Sequence, residues 1–238
     1  MPQYSYTRPQ AILFDLGDTI LGNQQFDPVA GNAHLLGFAE QTRLSAAEVR
    51  AVAQELDDLI IPLRQATVFE FTAESFNRLL FERLGIALSI SYAQAAYEFW
   101  HASVTFTPEP GIDEVLRYLT GAGIRRGIIS NSVFSGAVLE AELAKHNLGG
   151  AFEFLLSSAD YGIRKPHPLL FEIGLARLGL EAEAVWFVGD RLEADIVGAK
   201  AVGLCAVWYN RRRKSREAIV PDVEVQDWQQ FVRLLQTL

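Results

Sequence analysis

From Pro108 to Trp208 the chain alternates short apolar runs with amphipathic stretches, and this alternation limits its fold more than any other feature. Gly127-Ile128-Ile129-Ser130-Asn131, Phe152 to Leu156, Ala184 to Val188 and Leu204 to Trp208 read as strands. Ile112 to Leu119, Ala137 to His146, Leu169 to Leu178 and Ala194 to Val202 read as helices between and before them. Apolar strands separated by helices pair in parallel and are covered on both faces. A further apolar run, Ala11-Ile12-Leu13-Phe14, stops at Asp15-Leu16-Gly17-Asp18-Thr19, as a buried strand does on opening into a loop. The expected fold class is therefore α/β, a doubly wound parallel sheet.

Residues from about 27 to 104 depart from that rhythm and read as helical. Ser45-Ala46-Ala47-Glu48 is a capping-box signature, followed at helical spacing by Val49, Val52, Leu56, Leu59 and Ile60. Pro62 is expected to end or kink this helix, because proline lacks the N–H that the ladder needs. Thr72 is placed to cap a second helix with Phe76, Leu79, Leu80, Phe81 and Leu84 on its apolar face and Gly85 at its end. Tyr92 to His101 suggests a third. The expected organisation is an α/β core formed by residues 1–20 and 105–238, with an inserted α-helical domain at 21–104.

Lysine and arginine total 21 against 29 aspartate and glutamate, and the formal charge of −8 offers no general attraction to nucleic acid or an anionic membrane. Accordingly Arg211-Arg212-Arg213-Lys214 reads as a solvated loop. No apolar run reaches the ~18 residues of a membrane span, and the first ten residues show no leader. The single cysteine, Cys205, excludes an internal disulfide and a cysteine-based zinc site, and falls where a strand would pack it. A cytoplasmic location is expected, and nothing in the sequence demands an oligomer.

In an open parallel sheet the ligand crevice lies beyond the carboxyl ends of the strands. The polar residues at or just after those ends are Asp15 and Asp18, Ser130 and Asn131, Lys165, and Asp190 with Glu193 and Asp195. Taken singly, each reads as well as a turn, a cap or a solvated loop residue. Gathered at one crevice, the carboxylates would repel one another unless a hard cation stood among them, and Mg²⁺ takes such oxygen ligands. A lysine and a hydroxyl beside that ion suit a phosphate dianion.

In this order, Asp15-Leu16-Gly17-Asp18-Thr19, Ser130, Lys165-Pro166 and Gly189-Asp190 through Asp195 resemble the four motifs of the haloacid dehalogenase-like hydrolase superfamily. The helical insertion after the first motif is similar to the α-helical cap of its phosphoglycolate-phosphatase-like members. The resemblance implies a Mg²⁺-dependent phosphohydrolase acting on a small phosphorylated metabolite. In that scheme Asp15 is the nucleophile and forms an aspartyl-phosphate that water hydrolyses. The carboxylates of Asp15 and Asp190 and the backbone carbonyl of Gly17 hold Mg²⁺, with Asp195 nearby or ligating through water. Ser130 hydrogen-bonds a phosphoryl oxygen with Asn131 as a neighbouring contact, and Lys165 offsets charge on the transferring group and orients Asp15.

The sequence departs from the family's phosphatases at Gly17, where a second aspartate usually serves as general acid and base. Three consequences are open: Asp18 takes that role, the substrate has a leaving group that needs little protonation, or the protein only binds a phosphorylated ligand. The family's dehalogenases also lack the second aspartate but need no metal, whereas here Asp190 and Asp195 retain an acidic cluster. Its phosphonate hydrolases use a cap lysine, and the first lysine of this chain is Lys145. Arg43, Arg50, Arg64, Arg78 and Arg83 are the cap's cationic candidates for facing an anionic substrate, and His167 lies two residues beyond Lys165.

Overall fold

Strand β1 (Ala11–Phe14) is buried along its whole length, as four consecutive apolar residues require. The computed structural model describes residues 7–215 and 218–238; the first six, part of the segment read for a leader, lie outside it, as do residues 216–217 of the expected core. After β1 come β2 (Leu21–Phe26), α1 (Pro28–Leu36), α2 (Ala46–Ala66), α3 (Ala73–Arg83), α4 (Tyr92–Ser103) and β3 (Val104–Pro108). Next are α5 (Ile112–Gly121), β4 (Arg125–Ser130), α6 (Gly136–Lys145), β5 (Leu155–Ser157) and α7 (Ser158–Tyr161). The chain then forms α8 (Leu169–Leu178), β6 (Val185–Gly189), a single wide π-type turn (Leu192–Ile196) and α9 (Val197–Ala201). It ends with β7 (Cys205–Tyr209), β8 (Val223–Val225) and α10 (Trp228–Gln236).

Six strands form one parallel sheet in the order β5-β4-β1-β6-β7-β8, so the α/β class expected from the alternation is what the chain adopts. Phe14 stands between Ile128 of β4 and Val188 of β6. From β1 the chain fills one side of the sheet, returns, and fills the other, which puts the carboxyl end of β1 at the switch point where such sheets form their crevice. Side chains alternate across the sheet. Ile12, Phe14 and Val188 join a cluster with Val115, Leu139 and Phe231, while Leu13, Ile129 and Phe187 pack on the other face with Phe171 and Ile196.

A third cluster is separate: Leu35, Val49, Leu56, Leu80, Phe81 and Ala95 bring α1–α4 together. The Ser45–Glu48 capping box and the Thr72 cap both form as the sequence leads one to expect. Pro62 does not end its helix, which runs on to Ala66. Asp58, whose carbonyl the proline ring deprives of its donor, is solvent-exposed, so water can satisfy it. Leu59 and Leu79, placed on apolar faces by spacing, are exposed. At both ends of this helical segment β2 and β3 pair as an antiparallel ribbon that the helical reading did not anticipate. Among the described residues no helix is long and apolar enough to cross a membrane.

Candidate active site

The loop after β1 is wound tightly: the amides of Ile20 and Leu21 both donate to the Leu16 carbonyl, and the Asp18 amide donates to the Leu21 carbonyl at 2.7 Å. Asp18 takes a left-handed φ of 55°, a conformation aspartate tolerates better than most residues. Asp15 stays tied to the sheet, its amide donating to the Val188 carbonyl at 2.8 Å. Its carboxylate thus stands beside the end of β6, facing the loop into which that strand runs.

Lys165 comes from the segment after α7 and is 2% exposed. Its Nζ donates to Asp15 Oδ1 at 2.7 Å and to the Ile129 carbonyl at 2.8 Å. It also lies 2.7 Å from Asp195 Oδ1, an ion pair outside hydrogen-bonding alignment that leaves this buried oxygen without a directed donor. Burial alone would pull the ammonium down, but Asp15 and Asp195 outweigh it and hold Lys165 above the usual lysine value. Asn131 supports the lysine: its Nδ2 donates to the Lys165 carbonyl at 2.9 Å, and its Oδ1 accepts from the Lys165 amide at 2.7 Å. Both ends of that side-chain amide therefore serve the backbone of Lys165.

Asp195 reaches the site through the wide turn after β6. Its Oδ2 accepts from the Arg191 amide at 3.0 Å, and its side chain packs directly on Gly189, where an added Cβ would lie 2.4 Å from Asp195 Cγ. Only glycine leaves that space. Asp15, Asp190 and Asp195 each offer one carboxylate oxygen, and the three lie within 4.8 Å of one another. Burial, and then the neighbouring carboxylates, push Asp190 up to about 7. Asp15 rises to about 6, chiefly by burial, against the downward pull of Lys165. Asp15 and Asp190, destabilised as anions, and the adjacent Asp195 fit a divalent cation as the missing counter-charge.

A cavity of about 320 Å³ opens beside this cluster, lined by Asp15, Gly17, Asp18, Ser130, Asn131 and Asp190. Of the polar residues expected at the strand ends, Lys165 and Asp195 lie buried against Asp15 rather than on the cavity wall, and Glu193 does not line this cavity. Nothing lies within 4 Å of where a Cβ of Gly17 would point. The opposite wall holds Gln24 from β2, Arg64 from α2 and Trp100 from α4. Arg64 is the cap arginine that faces the site. It is held by the buried Glu70, which also lies 4.0 Å from Arg164, so two guanidiniums share one carboxylate. No spacing signal separates Arg64 from the other cap arginines, and Gln24 and Trp100 carried none.

Several polar side chains near the site have partners that the sequence does not reveal. Asp18 is turned onto Arg212, and in the Arg211-Arg212-Arg213-Lys214 loop, whose last three residues are exposed as expected, Arg211 pairs with the buried Glu109 at 3.1 Å and Lys214 lies 3.8 Å from Asp190. The run is counter-charge to the acidic rim, which a local reading of charge cannot show. His167 accepts from the Leu169 amide at the start of α8 and is not among the residues lining the cavity.

The family model for haloacid dehalogenase-like hydrolases matches residues 9–203. The chain is 37% identical over 101 residues to a glyceraldehyde 3-phosphate phosphatase of Pyrococcus abyssi, a match spanning 42% of this chain and 41% of that protein. It is 27% identical over 205 residues to a protein of the same name from Pyrococcus furiosus, spanning 85% and 81%. Among solved structures, a 2-haloacid dehalogenase from Pseudomonas syringae pv. Tomato DC3000 superimposes with a TM-score of 0.67 at 23% identity, over 95% of this chain and 98% of that one. At that identity the likeness is one of fold.

Proposed function

The chain belongs to the haloacid dehalogenase-like hydrolases, and we propose that it is a Mg²⁺-dependent phosphohydrolase acting on a small phosphorylated metabolite through an aspartyl-phosphate on Asp15. The single observation carrying this reading is the convergence of Asp15, Asp190 and Asp195 on one point beside a buried lysine. The phosphatase names of the Pyrococcus relatives support it. The acidic triad also weighs against a metal-independent dehalogenase, whose chemistry has no use for a cation.

Mg²⁺ held by Asp15, Asp190 and the Gly17 carbonyl, with Asp195 ligating directly or through water, would polarise the phosphoryl oxygens and offset their charge. The Asp15 carboxylate attacks phosphorus, an Asp15 O–P bond forms, and the ester oxygen leaves with its electron pair. Lys165 keeps Asp15 oriented and balances charge on the transferring group, Ser130 donates to a phosphoryl oxygen, and Asn131 fixes Lys165. Arg64, sharing Glu70 with Arg164, retains positive charge for the anion from the cap side. Water then attacks phosphorus, the Asp15 O–P bond breaks, and inorganic phosphate leaves carrying the water oxygen while a proton passes to solvent, which restores the Asp15 carboxylate.

Gly17 has no proton to deliver, and Asp18 faces Arg212. Leaving groups stable as anions, such as acyl, aryl or pyrophosphate oxygens, therefore suit this site better than alkoxides. Residues 21–104 form the cap, joined to the core by the β2–β3 ribbon, and cover the reaction from bulk water. Burial pushes the Cys205 thiol up to about 12, which keeps it in the less nucleophilic protonated form. Turnover of p-nitrophenyl phosphate with and without Mg²⁺, beside an Asp15→Asn control, tests the proposal. Activity that persists without the ion refutes the mechanism, and tight phosphate-ligand binding without turnover would favour a regulatory protein.

A further inference from the structure

A second cavity of about 270 Å³ lies among α1–α4, and Arg64, Val133 and Phe134 line both it and the reaction cavity. Its walls are largely aromatic and aliphatic, with Phe71, Phe76, Phe99 and Ile60 among them. Two side chains do not suit such a wall. Asn32 of α1 and Asn77 of α3 are 2% and 4% exposed, and the Nδ2 of each has no hydrogen-bond partner. Leaving a buried donor unmade is costly, and two amides orphaned on one chamber are hard to explain by packing alone.

The charges around this chamber are arranged asymmetrically. Arg50 on its wall is neutralised by Asp57 at 2.9 Å, so that part offers no net charge. Arg64, Arg164 and Glu70 together carry one net positive charge, and Arg64 stands at the boundary shared with the reaction cavity. An ester with its phosphate beside Asp15 and an uncharged body in the chamber would match this polarity from end to end.

Resting on the phosphohydrolase reading above, we infer that this chamber receives the leaving group, and that the substrates are phosphate esters of an uncharged, mainly apolar group whose carbonyl-type oxygens accept from Asn32 and Asn77. A triose phosphate offers a carbonyl oxygen but is small and polar, and it leaves the aromatic and aliphatic walls unfilled. A site built to hydrogen-bond a ligand discriminates strongly against an analogue lacking the partner atom, because its own buried groups are then left unpaired.

The test compares three esters in Mg²⁺ on the full chain: 4-methylumbelliferyl phosphate, flat and carbonyl-bearing; 2-naphthyl phosphate, of similar size without the carbonyl; and phenyl phosphate. The KM for the carbonyl ester is expected to be lower than that for the naphthyl ester by about tenfold or more. Asn32→Leu and Asn77→Leu should each narrow that gap by raising the KM of the carbonyl ester selectively. Their thermal midpoints should stay level or rise, since an apolar side chain replaces an orphaned donor. Equal KM values for the carbonyl and naphthyl esters in the unaltered chain would overturn the inference, whatever the variants do. So would an equal effect of the variants on all three esters, or lowered midpoints, which would assign the amides to structure. If no ester is hydrolysed, the phosphohydrolase reading fails by itself. Binding of 4-methylumbelliferone, followed by fluorescence and lost in both variants, would then keep the chamber as a ligand site, and absence of binding would remove that too.

Discussion

Arg212 lies 194 residues beyond Asp18 in the chain, and its Nη2 donates to both oxygens of the Asp18 carboxylate at 2.9 Å. With Arg211 on Glu109 and Lys214 near Asp190, the segment after β7 lays positive charge along the acidic rim of the crevice. Asp18 thus lines the crevice with its carboxylate resting on an arginine.

Asp18→Asn should accordingly lower kcat/KM for an alkyl phosphate by less than about tenfold, short of the ~10²–10⁴ that loss of a general acid costs. Rates for an aryl and an alkyl phosphate measured on the same preparation check this. A collapse confined to the alkyl ester would give Asp18 the acid's role after all.

Gly17→Asp should have the opposite character. The space around the missing Cβ is open and the backbone is not left-handed, so the aspartate fits without strain. Alkyl phosphate turnover should rise, by about tenfold or more, while p-nitrophenyl phosphate, which needs no protonation, changes little. Unaltered alkyl rates would mean that the leaving oxygen does not pass near residue 17.

Gly189→Ala probes the packing behind the triad. Its Cβ would collide with Asp195 Cγ at 2.4 Å, and Asp195, anchored to the Arg191 amide, has little room to retreat. We expect a loss of about 1–3 kcal/mol of stability from overpacking, together with weaker Mg²⁺ affinity by titration calorimetry. Stability lost with Mg²⁺ affinity intact would separate Asp195 from the metal.

Asp15 and Asp190 titrate at about 6 and about 7 when folded, above their ordinary value of 3.8. Between about pH 4 and 7 the folded chain holds protons that the unfolded chain has released, so these groups favour folding at low pH and cease to do so as pH climbs through 6 and 7. In chelator their contribution to stability falls over that window, and Mg²⁺ compensates by replacing the protons. The rise in thermal midpoint on adding Mg²⁺ should thus be larger at about pH 8 than at about pH 5. A gain independent of pH would mean the ion does not sit among these carboxylates.

The strands that carry the site were legible because each is apolar on both faces and ends abruptly at a polar residue; Ala11–Phe14 and Val185–Gly189 show this plainly. Other features were hidden because they depend on partners distant in sequence. The β2–β3 ribbon joins residues about eighty positions apart, Glu70 beside Arg64 meets Arg164 from far along the chain, and the basic run finds its acids only in the folded chain. The wide turn at Leu192–Ile196 looks like ordinary helix by spacing, although it is what turns Asp195 inward. Helix α10 does bear a readable stripe in Trp228, Phe231, Val232 and Leu235, but strand–helix alternation loses its rhythm before reaching it.

The cluster that binds α1–α4 together shares no buried residue with the two that clamp the sheet. A change of shape at Leu56 or Phe81 can therefore remould the roof while Asp15 keeps its footing between two hydrogen-bonded neighbours. The two packings meet at Phe99, which lies against both, so that side chain is where a shift in the helices would be felt by the strands.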